Sequence, residues 1–272
     1  MKLLAGVASP GSGGLPVTDS KRSRVVILSH RWQYLFLKPR KVAGTSLQVA
    51  LLPHCGPDDV VTGLTKYRPQ NDRDWYRCQP QNNRGHRGHG TAAEVRRRVG
   101  EELWGRYFKF SVIRNPWDLV VSQYHWANRD DLLGQDITAC LRRFLRYPWQ
   151  LRKNWMLLRI LWHRCVRGAD TGTFPFFAEY LLDYYPPNDP HYFDPSGDLS
   201  LDFYIRYEHL QPDYELACRR IGIPCSVLPS LKSKSREPRI HYSKYYDSRT
   251  RALVARTYRR HIALFGYRFE TE

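Results

Sequence analysis

The sequence predicts an α/β protein in which helices cover both faces of a central, largely parallel β-sheet. Three observations predict this class. Short β-branched or aromatic runs alternate with helical patterns along the chain. One run, Phe108–Ile113, is nearly all apolar, as a strand buried on both faces should be. A strand near residue 37 also leads through a glycine-containing loop straight into a helix, which makes the predicted sheet P-loop-like.

The first elements surround that loop. Strands are predicted at Arg24–Ser29 and Tyr34–Leu37, where β-branched and aromatic residues cluster. The second strand continues into Lys38-Pro39-Arg40-Lys41-Val42-Ala43-Gly44. A helix then begins near residue 45 and stops at Pro53, because proline cannot continue it.

The next helix follows a polar stretch, residues 54–88, that we expect to be loop-like. Thr91 and Glu94 form a capping box, in which each side chain satisfies an exposed amide at the helix start. Its apolar stripe repeats every four residues, at Val95, Val99 and Leu103. After the apolar strand, Asn115 suits the N-cap and Pro116 the first position of another helix.

The second half of the chain continues the alternation of helices and strands. The predicted elements are an Arg- and Trp-rich helix at 141–167, a strand at Phe203–Tyr207, a helix at Pro212–Ile221 closed by Gly222, and a last helix at Ser248–Phe265. No repeat or sharp linker divides the chain. We therefore predict a flexible leader at 1–22 and a single domain at 23–272.

Composition limits the classes of function. The formal net charge of +17 points to an anionic partner: nucleic acid, an anionic membrane, a polyanionic glycan or a phosphorylated nucleotide. The six cysteines form no C-x-x-C pair, which argues against a disulfide scaffold and a zinc ribbon. No stretch approaches the roughly 20 apolar residues of a membrane span. We expect a cytoplasmic protein, and the sequence carries no signal for an oligomeric state.

The loop after the second strand has the chemistry of a phosphate site. Gly44 lets the backbone approach a phosphate, and the first amides of the following helix point toward it. The hydroxyls of Thr45 and Ser46 add donors, and Lys41 adds a mobile positive charge. In kinase-type P-loops the lysine follows the last glycine and a hydroxyl holds magnesium. Here the lysine comes first, which favours metal-free transfer of a sulfonate.

A second anion site is predicted at the end of the apolar strand. Arg114 lies at its carboxyl end, where open α/β sheets bind ligands. Ser122 follows about two turns along the next helix. A guanidinium and a hydroxyl can hold one phosphate from two sides. Alternatively, Arg114 forms an ion pair at the helix terminus and Ser122 is an ordinary helical residue.

These motifs resemble those of a known enzyme family. KPRKVAGTS at 38–46 resembles the 5′-phosphosulfate loop of sulfotransferases that use 3′-phosphoadenosine 5′-phosphosulfate (PAPS), and VIRNPWDLVVSQY at 112–124 resembles their 3′-phosphate motif. More closely, the chain is similar to small bacterial enzymes related to the Golgi carbohydrate sulfotransferases, including the heparan sulfate 2-O-sulfotransferase type. Further similar pieces are Ser29-His30, CGPDD at 55–59, FYIRYEHL at 203–210 and YYDSRTRALVARTYRRHIALFGYRF at 245–269. The resemblance covers roughly 25–269 and implies the sulfotransferase fold.

The resemblance also implies roles for individual residues. Lys41 would contact the phosphosulfate and neutralise charge on the bridging oxygen as the S–O bond breaks. Lys38 replaces an arginine that some relatives carry beside the sulfonate. Residues implied to hold the 5′-phosphate are Ala43, Gly44, Thr45 and Ser46, and those implied to hold the 3′-phosphate are Arg114 and Ser122. PAPS would be the co-substrate and PAP the product, with no metal required.

A general base is needed to deprotonate the acceptor hydroxyl. His89, two residues before the Thr91 cap, is the candidate, and His86 is its rival. The positive end of the helix should favour a neutral, proton-accepting imidazole. The order of elements here, a Gly-His pair followed by a helix and then by the strand that ends in Arg-x-Pro, also resembles the catalytic histidine region of the 2-O-sulfotransferases. A loop histidine with only a structural role is the alternative.

The segment Leu231–Arg236 corresponds to a loop that folds over the nucleotide in relatives. Relatives often carry Asn and Ser where this chain has Lys232 and Lys234. Lys234 is therefore a candidate nucleotide contact, and a solvated basic loop is the alternative.

The acceptor is predicted less directly than the donor. Charge and family favour an anionic glycan, with a small hydroxylated metabolite second. Candidates for an acceptor cleft are Arg142, Arg143, Arg146, Trp149, Arg152, Trp155, Arg159 and Trp162. They could equally form an amphipathic helix with Trp155 and Trp162 in the core, the arrangement we favour. Outside this class, a basic nucleic-acid-binding protein is the main alternative, although no nucleic-acid module is recognisable, and a nucleotide-dependent kinase is the third.

Overall fold

The computed structural model describes residues 27–64, 79–83, 89–128, 151–231 and 240–271, with the isolated positions 138, 142, 145, 146 and 149. These residues form a mixed α/β fold with a five-stranded sheet. The strands and helices are β1 (Ile27–Ser29), β2 (Tyr34–Phe36), α1 (Gly44–Leu51), β3 (Val60–Val61), α2 (Ala92–Val99), α3 (Glu101–Arg106), β4 (Phe108–Ile113), α4 (Pro116–Asn128), α5 (Leu151–Arg167), α6 (Phe174–Phe176), β5 (Phe203–Arg206), α7 (Leu210–Ile221), α8 (Ser248–Thr257) and α9 (Arg259–Phe265). A π-helical stretch, Phe177–Leu181, continues α6, and the predicted leader lies outside the described residues.

The sheet is mixed rather than largely parallel, so that part of the prediction is wrong. Its strand order is β3-β1-β2-β4-β5. β4 runs parallel to both β2 and β5, but β1 is antiparallel to β2 and β3. The cause is the connection between β1 and β2, which consists only of residues 30–33. Parallel neighbours need a crossover of a dozen or more residues, so a short turn can only make a hairpin.

Helices pack on both faces of the sheet, as predicted. Alternate strand residues face opposite ways. Phe36, Phe110 and their neighbours join the main core, which is completed by α1, α4, α5, α7 and α8. Leu35 and Leu37 join a smaller core with α2 and α3 on the other face. The central strand β4 has the predicted bounds and is buried along nearly its whole length.

Three predicted helix termini, two starts and one end, are confirmed. Thr91 and Glu94 make both hydrogen bonds of the capping box. The Asn115 side chain accepts a hydrogen bond from the amide of Trp117, 3.0 Å away, at the start of α4. Gly222 closes α7 with a φ of 85°, which glycine adopts without steric cost. Local sequence signals therefore fix these termini.

Two helices predicted as continuous are each divided. The helix after Thr91 breaks at Gly100, whose φ is 85°, and its predicted stripe still packs in the smaller core. The last helix breaks at Tyr258, which is fully buried. In the last helix the break separates Val254, in the main core, from Phe265, which packs in another cluster.

Two pieces of the family resemblance meet at the turn between β1 and β2. The Asp59 carboxylate accepts hydrogen bonds from the Ser29 hydroxyl at 2.8 Å, the His30 amide at 2.6 Å and the Gly56 amide at 2.8 Å. Asp59 is almost wholly buried. Its role in the fold is therefore to organise this turn, at the end of β2 opposite the predicted phosphate loop.

The arrangement that we favoured for α5 is wrong. Met156, Leu157 and Ile160 are its core residues, whereas Trp155 is 66% exposed and Trp162 46% exposed.

Within the described residues, no helix has the length and apolar character needed to cross a membrane.

Candidate functional site

The predicted phosphate loop connects β2 to α1 and is fixed to the central strand. The amide of Leu37 donates to the carbonyl of Phe110 at 3.0 Å, and the Ser111 hydroxyl donates to the carbonyl of Leu37 at 2.9 Å. Lys41 and Ala43 both adopt positive φ, 63° and 57°. Ala43 directly precedes α1, so the loop delivers the chain to the amino end of that helix. That end carries amide N–H groups and the positive end of the helix dipole.

Gly44 has a steric reason to be glycine. A Cβ atom at this position would lie 2.5 Å from Cγ of Lys38. The Lys38 side chain passes over Gly44, and its ammonium donates to Oε1 of Gln48 at 2.9 Å. Lys38 therefore lies along the start of α1, although its charge is directed partly to Gln48.

Thr45 and Ser46 are buried in the first turn of α1. The Ser46 hydroxyl oxygen accepts a hydrogen bond from the amide of Leu231 at 3.4 Å. This contact brings the start of the predicted covering segment to the phosphate loop. Lys234 lies outside the described residues.

Arg114 lies at the end of β4 and touches the loop directly. Its Nη1 donates to the carbonyl of Lys41 at 2.7 Å. Its Nε and Nη2 both contact Oδ2 of Asp118 at 2.7 Å, so the ion pair given as an alternative is present. The guanidinium also lies 3.9 Å from the ring centroid of Tyr207 and is only 6% exposed. The ion pair with Asp118 orients the guanidinium, and the hydrogen bond to the Lys41 carbonyl attaches the guanidinium to the loop.

Ser122 is half-buried on α4. It follows Asp118 by four residues, so the two side chains lie on the same helix face. Arg114, Asp118 and Ser122 thus form one row leading away from the loop. This arrangement is compatible with either of the two predicted roles of Ser122.

His89 lies against the loop from the other side. Its Nδ1 is 2.7 Å from the carbonyl oxygen of Lys38. A carbonyl can only accept, so Nδ1 carries the proton and Nε2 of the neutral ring is left as an acceptor. Burial lowers the pKa of His89 to about 4, and the charges of Lys38 and Arg40 act in the same direction. The ring is neutral as predicted, but burial is the largest cause rather than the helix end that we expected. His86 lies outside the described residues.

Backbone strain concentrates at these residues. Among the described residues, five non-glycine positions have positive φ, and three of them are Lys41, Ala43 and His89. Such conformations cost about 1–3 kcal/mol each and cluster at functional sites. The strain supports a functional role for the loop and for His89 together.

Sequence reasoning missed the segment 188–192. The buried side chain of Asn188 makes two hydrogen bonds with Arg40: its Oδ1 accepts from the amide at 3.2 Å, and its Nδ2 donates to the carbonyl at 2.9 Å. His191 faces the carbonyl of Asn188 through Nδ1 at 3.0 Å and is itself buried. The hydroxyl of Tyr192 donates to the carbonyl of Val112 at 2.8 Å. Asn188 and Arg40 are 148 positions apart, and no local pattern links them.

Asp189, which is half-buried within this segment, faces the buried ring of His261. Burial raises the pKa of Asp189 to about 6. Burial lowers the pKa of His261 to about 4, and Nδ1 of this ring is 3.8 Å from Oδ1 of Asp189. Through Asn188 and Tyr192, the same segment holds the ends of β2 and β4.

An open cleft lies along α5, with a volume of about 1040 Å³. Exposed Trp155 and Trp162 line one side, together with Arg159. Tyr180 and Asp183 line the other side, and Nη1 of Arg159 donates to the carbonyl of Tyr180 at 2.9 Å. We call this feature the tryptophan cleft. It contains three of the residues predicted to line an acceptor site.

Comparisons with known proteins give little further identification. The chain is 27% identical over 130 residues to an uncharacterized protein of the archaeon Archaeoglobus fulgidus, an alignment that covers 48% of this chain and 80% of that protein. No known protein family matches the sequence. No solved structure matches it either.

Proposed function

We propose that this protein is a PAPS-dependent sulfotransferase that transfers a sulfonate to a hydroxyl group of a glycan. One observation carries the proposal: the backbone of a single loop accepts hydrogen bonds from both Arg114 and His89. The two bonds, to the carbonyls of Lys41 and Lys38, are each 2.7 Å long. The loop proposed to bind the donor phosphate, the Arg114 guanidinium and the proposed base are therefore in contact within one short segment.

The residues of the loop suit the phosphosulfate end of the donor. Lys38 and Lys41 supply positive charge, and the start of α1 supplies amides and the hydroxyls of Thr45 and Ser46. Gly44 and Ala43 would allow the phosphate to approach the backbone closely. Anions bind well where helix amides and cations combine.

Arg114 and Ser122 suit the 3′-phosphate. A guanidinium has five N–H donors. The contacts to Asp118 and Lys41 use three of these donors and hold the guanidinium in place. The other N–H groups could then donate to a bound phosphate. A second phosphate site distinguishes PAPS from a simple nucleoside triphosphate, which supports the choice of donor.

The roles of the protein residues in the reaction follow from their positions. PAPS, when bound, supplies an activated sulfonate on a phosphate leaving group. Lys41 would stabilise negative charge that develops on the leaving oxygen. His89 would accept the proton of the acceptor hydroxyl at Nε2, since Nδ1 is committed to the carbonyl of Lys38. That same hydrogen bond would orient the ring, as a carboxylate does for histidine bases elsewhere.

The tryptophan cleft supports a glycan as the acceptor. Exposed tryptophan rings offer flat apolar surfaces for sugar rings, and Arg159 offers a cation for anionic substituents. A small alcohol or phenol would need far less surface than this cleft provides.

Binding and transfer experiments test the proposal. We expect the purified protein to be retained on PAP-agarose, to be eluted by free PAP, and to transfer radiolabelled sulfonate from PAPS without Mg²⁺. Lys41→Ala should abolish transfer, whereas the matched control Lys244→Ala removes an exposed positive charge elsewhere and should not. A requirement for ATP and Mg²⁺ would indicate a kinase instead. Salt-dependent oligonucleotide binding without PAP binding would indicate a nucleic-acid-binding protein.

A further inference from the structure

The residues around Asn188 contact the same short segment of the phosphate loop that His89 contacts. Asn188 pairs with both backbone groups of Arg40. His89 contacts the carbonyl of Lys38, two residues before Arg40. The carbonyl of Asn188 lies 3.0 Å from Nδ1 of His191, and a positive charge on His191 would disfavour protonation of His89.

The pairing with Arg40 uses both ends of the Asn188 side chain. Oδ1 accepts from the Arg40 amide while Nδ2 donates to the Arg40 carbonyl, and a planar amide carries the acceptor and the donor on separate atoms. It is 4% exposed, so an unpaired backbone group left by its removal would stay away from water. Asn188 thus satisfies both the N–H and the C=O of Arg40, as a neighbouring β-strand would.

The strained backbone of His89 needs such support. Its φ is 76°, a conformation that persists only when the surroundings over-determine it. The hydrogen bond between its ring and the Lys38 carbonyl is the described contact that holds it. Lys38 is 51 positions away in the chain, so the support comes from the loop and not from the neighbours of His89.

We propose that Asn188 and His191 are positioning residues that hold His89 in register with the phosphate loop. They touch neither the donor nor the acceptor in this scheme: Asn188 acts through the backbone of Arg40, and His191 acts through the carbonyl of Asn188. The inference deepens the proposed function, and its catalytic consequence rests on that function. Its structural consequence, the immobilisation of the His89 ring, can be tested without any substrate.

The first experiment measures the titration of His89 by NMR in the protein without ligands, with His89→Gln identifying the signal. The wild-type ring should titrate near 4, because burial disfavours its charged form. In Asn188→Ala and His191→Leu we expect the pKa to rise toward the ordinary value near 6.5, because the ring gains access to water. His191→Asn should restore part of the shift, because its amide can still donate to the Asn188 carbonyl.

The matched control is Gln81→Ala. Gln81 also joins distant backbone through a side-chain amide, donating to the carbonyl of Asp59 at 2.9 Å, but it lies at the turn beyond the other end of β2. This variant should lose stability without changing the titration of His89. An unchanged His89 pKa in Asn188→Ala would overturn the proposal.

The second experiment measures turnover and PAP affinity in the same variants. We expect kcat to fall about 100-fold in Asn188→Ala, because small misplacements of a catalytic group have effects of this size. The Kd for PAP should change by less than about threefold, because the implied phosphate contacts are made by other residues. Equal losses in kcat and PAP affinity, or an unchanged kcat, would contradict positioning. If the wild-type protein neither binds PAP nor transfers sulfonate but Asn188→Ala still shifts the His89 pKa, the proposed function fails and the positioning role stands.

Discussion

Arginine and aromatic side chains are found both at the carboxyl ends of β2 and β4, beside the phosphate loop, and in the tryptophan cleft. The two regions differ in how exposed these side chains are. At the sheet edge, Arg114 is 6% exposed and contacts a carboxylate, a carbonyl and an aromatic ring. In the cleft, Trp155 is 66% exposed on the outer face of α5. The first region is preorganised by contacts within the protein, whereas the second is open for a partner. Substitutions should therefore affect chemistry and folding in the first region, and binding in the second.

The largest expected effect is that of His89→Ala. Loss of a general base lowers turnover by about 10²–10⁴-fold, while PAP binding should survive. The exposed His209 provides a matched control, and His209→Ala should leave kcat unchanged. A base must be neutral to accept a proton, so with His89 in that proposed role kcat of the wild-type protein should stay constant above about pH 5 and fall as the pH drops through the pKa near 4. Normal turnover of His89→Ala would remove this residue from the mechanism.

The second effect concerns stability at the sheet edge. Arg114→Ala would leave Asp118 partly buried without its cation, and we expect the free energy of unfolding to fall by about 3 kcal/mol. The exposed pair Arg96–Glu101 is the control, and Arg96→Ala should cost far less, because water screens an exposed pair. Urea denaturation followed by circular dichroism measures both values. Equal losses would show that burial of the Arg114 pair contributes nothing.

The smallest effect on stability is expected in the cleft. Trp155→Ala should change the free energy of unfolding by no more than about 0.5 kcal/mol, although it removes the larger side chain. Its neighbour Met156 is 5% exposed, and Met156→Ala should cost about 2–5 kcal/mol because it leaves a cavity. With a glycan acceptor, Trp155→Ala should raise KM and leave kcat close to the wild-type value. A large loss of stability in Trp155→Ala would show that the tryptophan is part of the core.

Local signals in the sequence predict much of the fold. The capping box of Thr91, the apolar run of β4 and the pair Asn115-Pro116 each satisfy a physical requirement within a few residues, and each is confirmed. The mixed sheet was predictable in principle, because residues 30–33 are too few for a crossover. The burial of tryptophans on α5 was predicted from their apolar character alone, but Met156, Leu157 and Ile160 already provide a complete core stripe.

Some residues of the candidate site could be predicted from the sequence and others could not. The predictable ones are the loop at 38–46, Arg114 and His89, because their residue types and spacing indicate anion binding and proton transfer. Asn188 is not part of any recognisable motif, because it acts through the backbone of Arg40, 148 positions away. His191 contacts only the nearby carbonyl of Asn188, so its importance follows from that of Asn188. Only the folded structure brings Arg40 and Asn188 together.

The buried imidazoles at the sheet edge make folding a proton-linked reaction. His89, His191 and His261 each have a pKa of about 4 in the folded protein, so unfolding lets all three bind protons below about pH 6.5. Asp189 acts in the opposite sense, because its folded pKa of about 6 means that it releases a proton on unfolding. Near pH 5 these four groups together take up about two protons, which corresponds to a loss of about 2.7 kcal/mol of stability for each unit of acidification. Calorimetric unfolding in buffers of different ionisation enthalpy would count those protons, and zero uptake would contradict the burial of these rings.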